Sequence, residues 1–276
     1  MKRGISKRRQ RKLVLARAGF SRPVAATPEQ RKISAVKSKL NSFEKMFDRY
    51  CNPLPWLGGT IEERVRDMFG TKSGREFGNA MLSGDPKSFE KIAPVYRRMV
   101  EKHEEILKMS FALRGAEFRQ NDKVLSIGCG FGLHEVFLAK NIVPQGSVVG
   151  IDLSGRMVKQ AKRIAEIEGA KNARFVQKSA YNTGLRAQSF DKVVCNWAMD
   201  MPAFDRRGTA SEIGRVLKRN YEARAIITIP QGLIEERKEE IAGEMLKNGF
   251  RISGFFSDKG YAEGIVFSWA NLRGIK

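Results

Sequence analysis

The nine residues Val124-Leu125-Ser126-Ile127-Gly128-Cys129-Gly130-Phe131-Gly132 restrict this chain more than any other stretch. A short apolar run enters a turn with three glycines in five residues, and helix-forming residues follow. Glycine supplies the backbone conformations and the close approach that such a turn needs. A strand–turn–helix junction of this kind aims backbone N–H groups and a helix N-terminus at a ligand. The spacing is G-x-G-x-G. In the dinucleotide fingerprint G-x-G-x-x-G the third glycine would fall at Leu133. A tight turn uses glycine with or without a ligand, so the loop becomes a site only if the rest of the chain builds one around it.

The following residues supply a frame. From Lys123 onward, apolar runs of strand length alternate with helical patterns. Strands are expected at 123–127, 147–151, 173–177, 191–195 and 223–229. Helices are expected at 132–140, 155–168, 208–218 and 233–247. This alternation predicts an α/β fold with a doubly wound, Rossmann-like parallel sheet. Two further runs, Phe250–Phe256 and Gly264–Trp269, flank the turn material Ser257-Asp258-Lys259-Gly260 and predict an antiparallel hairpin. The second strand ends at Asp152. At the carboxyl end of a strand in such a sheet, an acid can accept the ribose hydroxyls of an adenosine cofactor. The alternative is that Asp152 or Ser154 caps the next helix.

Upstream, the pattern is helical and broken. Phe43, Met46, Phe47 and Tyr50 recur at helical spacing, and Asn52–Gly59 interrupts the chain. Thr60-Ile61-Glu62-Glu63 reads as a capping box. The Gly/Ser-rich stretch 70–84 reads as a loop or a broken helix. Asp85-Pro86 is a second helix start, with Asp85 as N-cap, and Ala93-Pro94 a division. Val95, Tyr96, Met99, Val100, His103, Ile106 and Leu107 then read as one apolar stripe of a helix ending near Gly115.

Charge separates the first segment from the rest. Residues 1–40 hold thirteen Lys or Arg against the single acid Glu29, a net +12 of the chain's +21. They are expected to form a basic, disordered arm, suited to RNA, a ribosomal particle or another polyanion; an organellar transit peptide is the alternative. Residues 41–120 are expected to form a helical extension or lid, and 121–276 the cofactor-binding domain. Three unclustered cysteines point to a reducing, cytoplasmic setting. Only His103 and His134 are present, and no metal site is expected. No apolar run is long enough to span a membrane.

The order VLSIGCGFG, VVGID, FDKVVCNWAM, EIGRVLKRN resembles the class I S-adenosylmethionine-dependent methyltransferases, and within them the type 11 group that includes ubiquinone and menaquinone methyltransferases. The resemblance covers about residues 86–270. It implies a seven-stranded sheet with an antiparallel C-terminal hairpin and S-adenosyl-L-methionine as cofactor. It places Gly128, Cys129, Gly130 and Gly132 around the methionine part, Asp152 on the ribose and Leu153 on the adenine. Ser179 and Ala180 fall near the adenine amino group, and Asn196 at the cofactor after the fourth strand. Ser126 and Ser179 stand where the family usually has acids, and Asn220 where it usually has a turn glycine. Tyr96, His134, Tyr181, Trp197 and Asp200 are candidates for contact with the acceptor, with Asp205 beside them. No catalytic base stands out. Methyl transfer needs chiefly orientation and desolvation. The acceptor is expected to be a small molecule. The basic arm keeps open an RNA or ribosome-associated acceptor, and the missing acids a non-catalytic binding or assembly protein.

Overall fold

A computed structural model of the chain describes residues 28–51, 70–83, 85–100, 102–201, 204–230, 235–258 and 262–272. The basic residues 1–27, the expected capping box at Thr60–Glu63, and Lys259 and Gly260 of the expected turn lie outside them, while Ser257 and Asp258 belong to a strand. The chain divides into two units, Met1–Ser38 and Lys39–Lys276. Helix α1 spans Pro28–Tyr50 and so belongs to both. It starts well inside the stretch expected to be disordered. Pro28 suits a first helical position, and the Glu, Gln, Lys, Arg and Ala that follow are good helix formers. The second unit holds the remaining described elements, and among the described residues no helix is long and apolar enough to cross a membrane.

Two short helices follow, α2 (Lys72–Ser83) and α3 (Pro86–Ile92). The Gly/Ser-rich stretch is therefore largely helical. Its start signal is Thr71, whose Oγ1 accepts the Gly74 N–H at 2.9 Å. Asp85 caps α3 as expected, its carboxylate accepting the N–H groups of Lys87 and Ser88. After Ala93-Pro94, Tyr96–Arg98 form a separate 3₁₀ turn, and α4 runs from Lys102 to Gly115. The expected stripe is corrected here. His103 is exposed, and the face turned inward carries Glu105, Lys108, Met109, Phe111 and Ala112. α4 lies against the sheet closely enough that a Cβ on Gly264 would sit 2.9 Å from the Phe111 Cβ.

The sheet has seven strands: β1 (Lys123–Ile127), β2 (Ser147–Asp152), β3 (Ala173–Gln177), β4 (Lys192–Asn196), β5 (Arg224–Pro230), β6 (Phe250–Asp258) and β7 (Ala262–Trp269). Their order is β3-β2-β1-β4-β5-β7-β6. The first five are parallel; β7 pairs antiparallel with β5 and with β6. Helices α5 (Leu133–Asn141), α6 (Gly155–Glu168), α7 (Arg206–Val216) and α8 (Glu235–Lys247) connect them. Alternate residues of each strand face opposite ways. Val124, Val148, Phe175, Val194 and Ile226 join one core with α4, α5, α6 and the end of α1. Leu125, Ile127, Val193, Cys195, Ile227 and Phe267 join the other with α7 and α8. Phe43 and Phe47 anchor α1 in the first core, both fully buried, and the Phe43 ring meets that of Phe137 edge-on at 5.2 Å.

Candidate functional site

The glycine loop leaves β1 under tight steric control. Gly128, Gly130 and Gly132 have φ of 72°, 52° and 79°, a left-handed region that residues with a Cβ avoid. At Gly132 an added Cβ would lie 2.6 Å from the Cβ of Ala161 in α6, so this glycine lets α5 start against α6. At Gly130 it would meet nothing nearer than the Tyr96 ring at 3.6 Å. The loop is tied to β2. The Gly128 and Cys129 N–H groups donate to the Ile151 carbonyl, and the Gly130 N–H donates to Asp152 Oδ2 at 2.9 Å. The other carboxylate oxygen, Oδ1, accepts the Ser154 N–H at 2.9 Å. Ser154 caps α6 through the Met157 N–H. Burial raises the Asp152 carboxyl, and the amides of Ser154 and Gly130 partly offset it. Each oxygen keeps a second lone pair.

Two adjoining cavities open beside this loop. The larger, about 290 Å³, runs from Gly128, Gly130 and Asp152 past Leu153, Ser179, Ala180 and Tyr181 to Asn196 and Trp197. Its walls also include Phe89 of α3, Tyr96, Met201 and Phe204. Leu153 is 47% exposed, an apolar side chain left open at the cavity edge. The smaller, about 40 Å³, is lined by Glu105, Cys129, Phe131, Leu133, His134 and Glu135, and shares Gly128, Gly130, Tyr96, Lys108 and Asn196 with the larger.

A buried polar network stands behind both. Thr228 Oγ1 donates to Asn196 Oδ1 at 3.0 Å, and Asn196 Nδ2 lies 3.0 Å from His134 Nδ1. In this arrangement Nδ1 accepts, which leaves the His134 proton on Nε2, 3.0 Å from Glu105 Oε2. That contact has ion-pair distance but not hydrogen-bond alignment. Glu105 also pairs with Lys108. Burial by itself would raise the Glu105 carboxyl, but the Lys108 ammonium and His134 outweigh it and hold the group at about 2. Trp197 has φ of 50°, a strained setting for a bulky residue, and its backbone N–H donates to the Thr228 carbonyl at 3.1 Å.

Residues 124–220 match the family described as a methyltransferase domain. Residues 124–220 thus carry a methyltransferase domain similar to those of class I S-adenosylmethionine-dependent methyltransferases of the type 11 group. It is 31% identical over 134 residues to the uncharacterized methyltransferase YcgJ of Bacillus subtilis, covering 48% of this chain and 50% of that protein. It is 34% identical over 102 residues to a demethylmenaquinone methyltransferase of Symbiobacterium thermophilum, covering 37% of this chain and 40% of that one. The chain thus spans half the length or less of these two curated relatives. Its fold is similar to that of a SAM-dependent methyltransferase from Aquifex aeolicus, with a TM-score of 0.51 and 21% identity over 66% of this chain and 97% of the other.

S-adenosylmethionine is the cofactor of this methyltransferase family. The residues present fit it: the open face of Gly130, the spare accepting capacity of Asp152 and the exposed Leu153 all border one cavity. Most of the residues expected at the cofactor and acceptor site converge there. Gly128, Gly130, Asp152, Leu153, Ser179, Ala180, Asn196, Tyr96, Tyr181 and Trp197 line the larger cavity; Cys129 and His134 line the smaller. Three reach neither. Ser126 turns toward α5 and donates to Glu135 Oε1. Gly132 packs on Ala161 and Phe175. Asp200 is buried, its carbonyl accepting from Arg206 and Arg237. Asp205 borders the cavity while capping α7 through the Gly208 N–H. Asn220 is not left-handed; its Oδ1 accepts the N–H groups of Glu222 and Ala223, closing the turn with the side chain. Sequence reasoning missed Glu105, Lys108 and Glu135. For the first two, the signal was their i, i+3 spacing on the helix beside the apolar positions.

Proposed function

We propose that this chain transfers the methyl group of S-adenosylmethionine to a small, largely apolar acceptor in the larger cavity. One observation carries the reading. The glycine loop and Asp152 open onto the same cavity as Phe89, Tyr96, Trp197, Met201 and Phe204, so cofactor-type and acceptor-type surfaces share one enclosure. Asp152 accepts the ribose hydroxyls with its remaining lone pairs, while Gly130 and Ser154 hold its carboxylate still. Leu153 carries one face of the adenine, and Ser179 and Ala180 border its edge. Asn196 is fixed by Thr228 and His134, and presents the end of β4 to the cofactor.

Bound S-adenosylmethionine supplies a sulfonium methyl open to in-line displacement. The chain's task is to align and to exclude water. Alignment at about 3–3.5 Å contributes roughly 7–11 kcal/mol to such a reaction. The residues on the acceptor side suit that task better than proton transfer. Burial raises the Tyr96 phenol, so it stays neutral and positions by hydrogen bonding. The His134 ring is committed to Asn196 and faces Glu105. The extension contributes Pro86, Phe89, Tyr96 and Lys108 to the wall, which supports its role as a cover for the acceptor. The Symbiobacterium relative is named for demethylmenaquinone; a flat, ring-containing acceptor of that chemical class suits a cavity walled by Phe89, Tyr96, Trp197 and Phe204.

The test is calorimetric titration with S-adenosylmethionine, followed by transfer of labelled methyl from it to a small-metabolite extract and to total RNA in parallel. Binding, with label in the organic-soluble fraction, is expected. Absence of binding at millimolar cofactor, or label confined to RNA, would overturn the reading.

A further inference from the structure

Glu135 has no task in the reading above, and its surroundings give it one. It lies on the first turn of α5 and is 3% exposed. Oε1 accepts from the Ser126 hydroxyl at 2.5 Å. Oε2 is buried and has no hydrogen-bond partner among the described residues. A buried carboxylate oxygen without a partner is costly, and such groups call for an explanation. Glu135 lines the smaller cavity together with Gly128, Gly130 and Leu133, and with the paired Glu105 and Lys108. At about 40 Å³, that cavity suits a small charged group rather than a ring. Through Gly128 and Gly130 it continues into the larger one.

The charges around it decide which group. Glu105 is already matched by Lys108 and faces His134. Glu135 lacks a comparable cation, and burial raises its carboxyl, with His134 and the Ser126 hydroxyl opposing. Residue 126, on β1 beside the loop, is a neutral serine whose hydroxyl points at Glu135. Beside β1 the unpaired carboxyl group therefore stands on α5, with the Ser126 hydroxyl of the strand holding it.

We propose that Glu135 receives the ammonium group of the cofactor's methionine end, with Ser126 as the positioning residue that fixes its carboxylate. This rests on the reading of the loop as an S-adenosylmethionine site.

Binding of two ligands tests it: S-adenosylhomocysteine, which carries the amino-acid end, and 5′-methylthioadenosine, which lacks it. Glu135→Gln is expected to weaken S-adenosylhomocysteine about 10–100-fold, the effect of losing one charged hydrogen bond, and to leave methylthioadenosine within about twofold, since it makes no such bond. The exchange variant S126D/E135A returns a carboxylate from the strand and is expected to recover most of the lost affinity. Unchanged S-adenosylhomocysteine binding by Glu135→Gln, or equal weakening of both ligands, would overturn the proposal while leaving the cofactor site in place. Failure of the unmodified protein to bind either ligand would instead remove the functional reading, and this proposal with it.

Discussion

The Lys108 ammonium lies 3.9 Å from the centroid of the Trp197 indole ring. This joins α4, in the helical extension, to the residue that follows β4. The same ammonium pairs with Glu105, so a buried cation is held by a carboxylate and by an aromatic face. The contact joins two residues that line the larger cavity.

Replacing Lys108 with Met strands the Glu105 carboxylate beside His134. Breaking a buried pair by removing one member costs about 3–5 kcal/mol. The double variant E105Q/K108M removes both charges and is expected to regain most of that loss. Chemical denaturation of the four proteins of this cycle measures the coupling directly. Simple additivity of the two single variants would show that the pair carries no coupling.

Acid stability follows from the same carboxylate. Glu105 titrates at about 2 in the fold against an ordinary 4.5. A depressed carboxyl binds its proton more weakly in the folded state than in the unfolded one. Its contribution is therefore complete above pH 4.5 and is lost as the pH falls through about 2. Melting temperatures measured from pH 5 down to 2 should fall more steeply for the unmodified protein than for Glu105→Gln.

The loop glycines separate into two kinds. Gly132→Ala meets a left-handed backbone, costing about 1–2 kcal/mol, and also overpacks against Ala161 and Phe175, typically a further 1–3 kcal/mol or so. Gly130→Ala incurs only the first cost, since its nearest neighbour is the Tyr96 ring, but it places a methyl where the cofactor is proposed to lie. Thermal melting should therefore single out Gly132→Ala, and cofactor titration Gly130→Ala.

Asp152→Ala removes the acceptor of the Gly130 and Ser154 amides as well as the proposed ribose contact. Cofactor affinity should drop about 10–100-fold, the loss expected for charged hydrogen bonds. Calorimetry checks this against a circular dichroism melt of the same variant. Undiminished affinity in a folded variant would exclude Asp152 from the site.

The sheet was largely legible because short parallel strands are nearly continuous apolar runs. β1 and β3 begin and end at the expected residues, and β4 lies one residue later than read. The C-terminal antiparallel pair was readable from its two apolar runs, although Ser257 and Asp258, read as turn, belong to β6. The site was legible where function rests on backbone geometry or on a strand end, as at Gly128, Gly130 and Asp152. It was hidden where charged side chains point inward. Glu105 and Lys108 look like solvent-facing residues until Trp197 and His134, far along the chain, are brought to them. Glu135 sits beside the apolar run Val136–Ala139, and only the Ser126 hydroxyl across the interface shows what it does. The opening of α1 was hidden for the opposite reason. Its charge suggested an unfolded arm, while its intrinsic propensities favoured a helix.

β7 follows β6 in the chain but lies between β6 and β5 in the sheet. A nascent chain that has not yet delivered residues 262–269 holds β5 with a bare edge, a ready template for pairing with another chain. It also lacks the surface at Gly264 on which Phe111 packs. At about 5–20 residues per second, synthesis from β1 to β7 lasts on the order of ten seconds. The protein is thus most exposed to aggregation on the ribosome, just before β7 slots between β5 and β6.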